Sequence, residues 1–142
     1  MENCIFCLIA QRAAEASIVY EDAYTMAFMD IRPVSKGHML IVPKTHYDDI
    51  FNVPEETLAQ VFRTAQRAAL AAKRILGADG VSLLQQNGKA AGQEVFHLHV
   101  HVIPRYIHEG TRQFRDAQAA PRQRLNELAE KLSADPAWTV KC

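Results

Sequence analysis

Three histidines, His97, His99 and His101, alternate with Leu98, Val100 and Val102 in the run FHLHVHVIPR from Phe96 to Arg105. On a β-strand, side chains two apart share a face and lie roughly 6.5 to 7 Å apart along it. The pattern therefore predicts three imidazoles in a row over one site, with three aliphatics against a core. A neutral imidazole whose second nitrogen is fixed by a hydrogen bond is a competent nucleophile near neutral pH. His99, the middle one, is flanked best for that role. Attack on an α-phosphorus would give a nucleotidyl-histidine that water then hydrolyses, with neighbouring imidazoles and backbone amides steadying the phosphoryl oxygens. Just upstream, Gly88 and Gly92 permit backbone conformations that bring N–H groups close to a phosphate. The plainer reading, a half-exposed strand whose outer face happens to be histidine, suits one imidazole better than three in alternation.

A second chemistry sits in Cys4-x-x-Cys7, half of a tetrahedral zinc site that two histidines could complete. The alternative is a reduced pair buried against the sheet. Three cysteines with one close pair do not make a disulfide framework, and Cys142 and His108 read as surface residues.

The elements that must position these groups follow from periodicity. From Pro54 to Leu76 the apolar residues Leu58, Val61, Phe62, Ala65, Ala69, Ala72 and Leu76 recur at helical steps opposite Arg63, Arg67 and Arg74, with Gly77 as a stop. A C-terminal helix is expected from Arg122 to Leu132, ended by Pro136. Strand character marks Ser17 to Tyr20, Thr25 to Asp30, His38 to Val42, Val81 to Gln86 and Phe96 to Ile103. Arg105 to Ala120 is polar and reads as a loop or lid. The order implies one α+β domain over residues 1–142, a mostly antiparallel five-stranded sheet with one long and one C-terminal helix.

Sixteen basic residues balance sixteen acidic ones, so no global field exists to draw in nucleic acid or an acidic membrane. No apolar run reaches the ~18 residues of a membrane span. The N-terminus has an early acidic residue and no basic flank, unlike a signal peptide, so a cytoplasmic location is expected.

The run His97-Leu98-His99-Val100-His101-Val102-Ile103 resembles the histidine-triad (HIT) family signature, His-φ-His-φ-His-φ-φ with φ apolar. The likeness extends upstream to FMDIRPVSKGHMLIVPKTH and QQNGKAAGQEVFH and leaves out only the last 35 or so residues. It implies a nucleotide hydrolase or nucleotidyl transferase that releases AMP or another nucleoside monophosphate. His99 would be the nucleophile, His101 a phosphate partner, and His97 and His38 the rest of a histidine cluster. Asp30 would bind the ribose hydroxyls, while Phe6, Phe28 and Ile31 would line the base pocket, although core packing is an equal reading for Phe28. Asn87, Gly92, Gln93 and Val95 would hold or line the phosphates.

The resemblance further implies a homodimer joined through the long helix and sheet, and a structural zinc on Cys4, Cys7, His46 and His97. Family members often carry Ser or Thr to serve the leaving group where this chain has Glu94. That departure keeps open a second reading, a non-catalytic nucleotide-binding regulatory dimer. A structural zinc protein without a small-molecule function fits the glycine-flanked triad poorly. Ile103-Pro104-Arg105 and the longer C-terminal segment look closer to the dinucleotide-hydrolysing branch.

Overall fold

The computed structural model describes residues 3–139, so Cys142 lies outside the described residues. Eight principal elements run in the order α1 (Ile5–Ala10), β1 (Ile18–Glu21), β2 (Thr25–Met29), β3 (Met39–Pro43), α2 (Glu55–Leu76), β4 (Gly80–Gln85), β5 (Val100–Arg105) and α3 (Arg122–Ser133). The five strands form one antiparallel sheet in the order β1-β2-β3-β5-β4, the α+β architecture expected from the pattern.

Alternation along the central strands sorts their side chains onto two apolar layers. Ala27, Met29, Met39, Ile41, Val100 and Val102 face α2 and α3, joined by Leu98. Met26, Phe28, Leu40 and Val42 face the other way, onto Phe6 and Ile9 of α1. Burying Leu98, Val100 and Val102 completely contributes about 1.5–3 kcal/mol each and fixes which way the intervening histidines point.

Pro54 occupies the N-cap position of α2, Glu55 and Glu56 fill its first turn, and Lys73 and Arg74 its last, as the helix dipole favours. Gly77, at φ 66°, ends it in the left-handed region. Its buried stripe is Val61, Thr64, Ala65, Ala68, Ala71 and Ala72. Phe62, expected on that stripe, sits on the flank and is 38% exposed. Small residues along α2 let the helix lie close on the sheet.

Three findings refine the expectations. The strand predicted over Phe96 to Ile103 starts only at Val100 and runs through Pro104 to Arg105. Residues 97 to 99 leave the ladder because the Leu98 N–H donates to the Tyr47 carbonyl at 2.7 Å. The N-terminal CIFCLIA, too short for a periodicity signal, forms α1. The Arg105–Ala120 segment, expected as a loop or lid, is a loop that carries two 3-10 turns, Ile107–Glu109 and Phe114–Asp116. It is tied down where Arg105 Nη1 donates to the Arg112 carbonyl at 2.7 Å, Arg112 Nε to that of Val34 at 2.8 Å, and the Ala120 N–H to that of Ile31 at 3.1 Å. Beyond α3, Trp138 stacks on Tyr20 and donates to the Leu132 carbonyl.

Candidate nucleotide site and metal centre

A cleft of about 750 Å³ opens on the α1 face of the sheet. Its walls include Phe6, Phe28, Asp30, Ile31, Gly92, Glu94, Val95, His99 and His101. Ring contacts order it from end to end: Phe28 to Phe6 at 5.4 Å, Phe6 to His99 at 5.1 Å, His99 to His101 at 4.9 Å, and His101 to Phe114 at 4.9 Å. The histidine spacing is shorter than a regular pleat gives, because His99 precedes the strand proper.

Hydrogen bonds assign each imidazole a tautomer. His99 Nδ1–H donates to the carbonyl of His97 at 2.8 Å, which leaves the lone pair on Nε2. The Val34 N–H donates to His38 Nδ1 at 3.0 Å, so neutral His38 carries its proton on Nε2 and donates it to His101 Nδ1 at 3.0 Å. His101 therefore carries its own proton on Nε2. One cleft histidine is thus an acceptor at Nε2 and its neighbour a donor.

Burial keeps these rings neutral. It lowers His99 below the ordinary histidine value against the opposing pull of the His97 carbonyl. It also takes His101 to about 4, helped by His99, and His38 to about 3, helped by His101 and Arg105. Asp30 goes the other way, raised to about 6 by burial and by Glu94 in spite of the Arg32 N–H and guanidinium. Its Oδ2 lies 3.4 Å from His38 Nε2.

Asn87 and Gln93, expected to hold or line the phosphates, lie behind the cleft wall, as does His38, which was expected behind the triad. His38 is fully buried beneath His101. Asn87 Oδ1 accepts from the Ile50 N–H and from Gln85 Nε2, both at 2.8 Å. Gln93 accepts from the Gly88 N–H at 2.7 Å and donates to the Asp48 carbonyl at 2.7 Å. Both amides therefore brace the glycine loop that ends at Gly92, whose φ of 93° strains any L side chain, although a Cβ there would meet only the movable end of Gln86.

His97 turns out of the row altogether. Its Nε2–H donates to the Pro43 carbonyl at 2.8 Å, and its Nδ1 lies 3.3 Å from Cys4 Sγ and 3.4 Å from Cys7 Sγ. His46 matches it: Nε2–H donates to Asp48 Oδ1 at 2.8 Å, and Nδ1 lies 3.3 Å from Cys7 Sγ. Two imidazole lone pairs thus converge on two sulfurs, all four atoms within 4.8 Å of one another. Outer hydrogen bonds that fix the ligand tautomer are what a metal-binding imidazole needs, and the Cys₂His₂ set fits zinc. Burial, with Cys4 second, raises the Cys7 thiol, a shift that a bound cation reverses.

Phe114 lies in a polar segment with no periodic signal, and Pro43 meets His97 from 54 residues away. The acidic residue two positions after His46 was the only local signal for the outer shell. His108, with its side chain 78% exposed, is a surface residue as expected.

A HIT domain model matches residues 11–109, and the chain belongs to the histidine-triad family. An uncharacterized HIT-like protein of Methanocaldococcus jannaschii is 43% identical over 107 residues, which cover 75% of this chain and 82% of that protein. An adenylylsulfatase of Arabidopsis thaliana is 37% identical over 103 residues, 72% of this chain and 52% of that protein. Among solved structures, a Zn-bound histidine triad family protein from Mycobacterium smegmatis superposes with a TM-score of 0.85 at 38% identity, covering 97% of this chain and 94% of its own. The fold is therefore of the nucleotide-binding, hydrolase type. No helix among the described residues is long and apolar enough to cross a membrane.

Proposed function

We propose that the protein is a nucleotide hydrolase or nucleotidyl transferase acting at the α-phosphorus of a nucleoside phosphoanhydride or phosphoramidate. The observation that carries this reading is the His99 tautomer: Nδ1–H is held by the His97 carbonyl, and the Nε2 lone pair is left for the cleft. A nucleoside seated on Phe6, Phe28 and Ile31, with its ribose hydroxyls on Asp30, brings the α-phosphorus to His99. Nε2 attacks, the leaving group departs, and water then hydrolyses the nucleotidyl-histidine to AMP or another nucleoside monophosphate. His101 Nε2–H and the backbone at Gly92 and Val95 receive the phosphoryl oxygens, while His38 fixes the tautomer of His101 from behind.

Cys4, Cys7, His46 and His97 would hold a zinc ion whose chemistry is structural, a closed shell that ties α1 to the triad segment. The acceptor of His99, the His97 carbonyl, belongs to one of those ligands. A homodimer accounts for the open edge of β4, where Leu83 is 45% exposed, and for Phe62 and Leu70 on α2.

The test is AMP release by wild type and His99→Ala from diadenosine polyphosphates and an adenosine phosphoramidate, with trapping of the adenylylated protein. Release by wild type alone, with the adduct on His99, is expected. Turnover unchanged in a folded His99→Ala protein would sink the reading. Saturable AMP binding with no turnover on any substrate would favour a regulatory dimer instead.

A further inference from the structure

Cys4 and Cys7 can carry a chemistry beyond metal ligation. Both thiols are free, and their sulfurs converge on one atom, His97 Nδ1, at 3.3 Å and 3.4 Å. The Cys7 N–H also donates to Cys4 Sγ at 3.4 Å. The sulfurs themselves lie within 4.8 Å of each other. Cys-x-x-Cys pairs close to disulfides in oxidoreductases, so this spacing reaches an S–S bond without moving distant parts of the chain. Cys4 is half-buried and Cys7 buried, which lets an oxidant meet Cys4 first and leaves Cys7 beside it to resolve the product.

The pair is joined to the cleft twice. His97 rests its Nδ1 on the sulfurs, while its carbonyl accepts the His99 Nδ1–H at 2.8 Å. Between the two cysteines stands Phe6, whose ring meets those of His97 at 5.9 Å and His99 at 5.1 Å. A thiol can donate to a ring nitrogen, and a thiolate can share a cation with it; a disulfide sulfur does neither. Closing the S–S bond therefore leaves His97 Nδ1 without a partner in a fully buried ring, a costly state for a polar atom. Relief requires the segment at residue 97 to shift, and that segment carries the acceptor of His99.

We propose that Cys4 and Cys7 form a reversible oxidation site, closed to a disulfide by hydroperoxides, whose redox state sets the tautomer of His99. A lone pair of the Cys4 sulfur attacks the outer oxygen of the hydroperoxide, ROOH. The O–O bond breaks, and RO takes the thiol proton and leaves as ROH, which is water when the oxidant is hydrogen peroxide. The Cys7 sulfur then attacks the Cys4 sulfenic acid. An S–S bond forms, the S–O bond breaks, and the hydroxyl leaves as water with the Cys7 proton. Two electrons pass from the sulfurs to the peroxide, so two thiols and ROOH give a disulfide, ROH and water. Where the pair is held as thiolates on a cation, the two protons come from solvent and the site gives the cation up. A dithiol reverses the change by thiol–disulfide exchange.

The test treats the full chain, reduced and zinc-loaded, with hydrogen peroxide. Peptide mass mapping follows thiols and cross-links, and nitrogen-15 NMR follows the His99 ring. Expected are a Cys4–Cys7 disulfide, loss of zinc with the same time course, and conversion of His99 from the single tautomer with a free Nε2 to a mixture, each restored by dithiothreitol. AMP release should fall by about 10- to 100-fold, as when the partner that orients a reactive imidazole is lost. Cys142→Ser, which leaves the pair as the only cysteines, should respond like wild type, and Cys4→Ser should form no cross-link. Peroxide that leaves both thiols alkylatable, drives them to sulfinic acid, or joins either to Cys142 overturns the inference. A Cys4–Cys7 disulfide with the His99 nitrogen signals unmoved overturns it equally. Mapping and NMR need no turnover, so a reduced protein that releases no AMP sinks only the nucleotidyl-transfer reading.

Discussion

His99 and Asp30 show how two side chains in one cleft are pushed in opposite directions by the same burial. His99 is held below the usual histidine range, and Asp30 is raised to about 6. As pH falls through about 6, Asp30 takes up a proton and ceases to accept from ribose hydroxyls, so kcat/KM should fall. Asp30→Asn should be weaker throughout and lack that limb, which pH profiles of both proteins would reveal. Stability follows from His38 and His101, whose folded values of about 3 and about 4 lie below the ordinary histidine value of 6.5. Between those values the unfolded chain binds more protons, so stability is lost as pH falls from about 6.5 toward 4. Asp30, at about 6 against 3.8, works in the opposite sense over part of that window and offsets one of the two histidines. Thermal melts should therefore show a falling Tm on acidification, with a shallower slope in His38→Gln.

Among the elements, the turn before β3 has the least tolerance. Gly37 sits at φ 91°, and a Cβ there would lie 2.2 Å from Leu76 Cδ1 and 3.3 Å from Pro104 Cγ. Leu76 can rotate its terminal methyl away, but the backbone conformation stays strained for any L side chain. Gly37→Ala should lower stability by about 1–3 kcal/mol in denaturant unfolding. Because His38 follows directly and braces His101, AMP release should fall with it. The same element-level logic explains the triad. Leu98, Val100 and Val102 face α2 and α3, so His99 and His101 must face α1, whereas His97 precedes the strand and is free to rotate toward the cysteines.

At the scale of the whole molecule two assemblies are expected, one around a metal and one between chains. Metal analysis of the purified protein should give about one zinc per chain, and Cys7→Ser should abolish it. Chelation should lower the Tm, since the site joins α1 to the loops bearing His46 and His97. A chain of 15.9 kDa should sediment at twice that mass. Leu83→Lys, which sets a charge on the open edge of β4, should return it to the monomer and leave the sheet intact.

Alternation of His97, His99 and His101 with three aliphatics was legible in the chain because strand geometry converts a period of two into two faces. The long helix was equally legible from its 3.6-residue stripe and its Gly77 stop. With them came the α+β class, the glycine loop and the pairing of Cys4 with Cys7. What the sequence could not carry were contacts between residues far apart in it. Alternation alone puts the His97 ring in the row, and only the family resemblance set it beside the cysteines; it turns there because Tyr47 and Pro43 take up its backbone neighbour and its Nε2. Asn87 and Gln93 face inward because their amides close the glycine loop on itself and on residues 48 and 50. Phe114 meets His101 only because Arg105, Arg112 and Ala120 tie its segment across the sheet. Local pattern determined which face each strand residue takes; tertiary packing alone decided which distant groups share that face, and hence which nitrogen of each histidine is free to react.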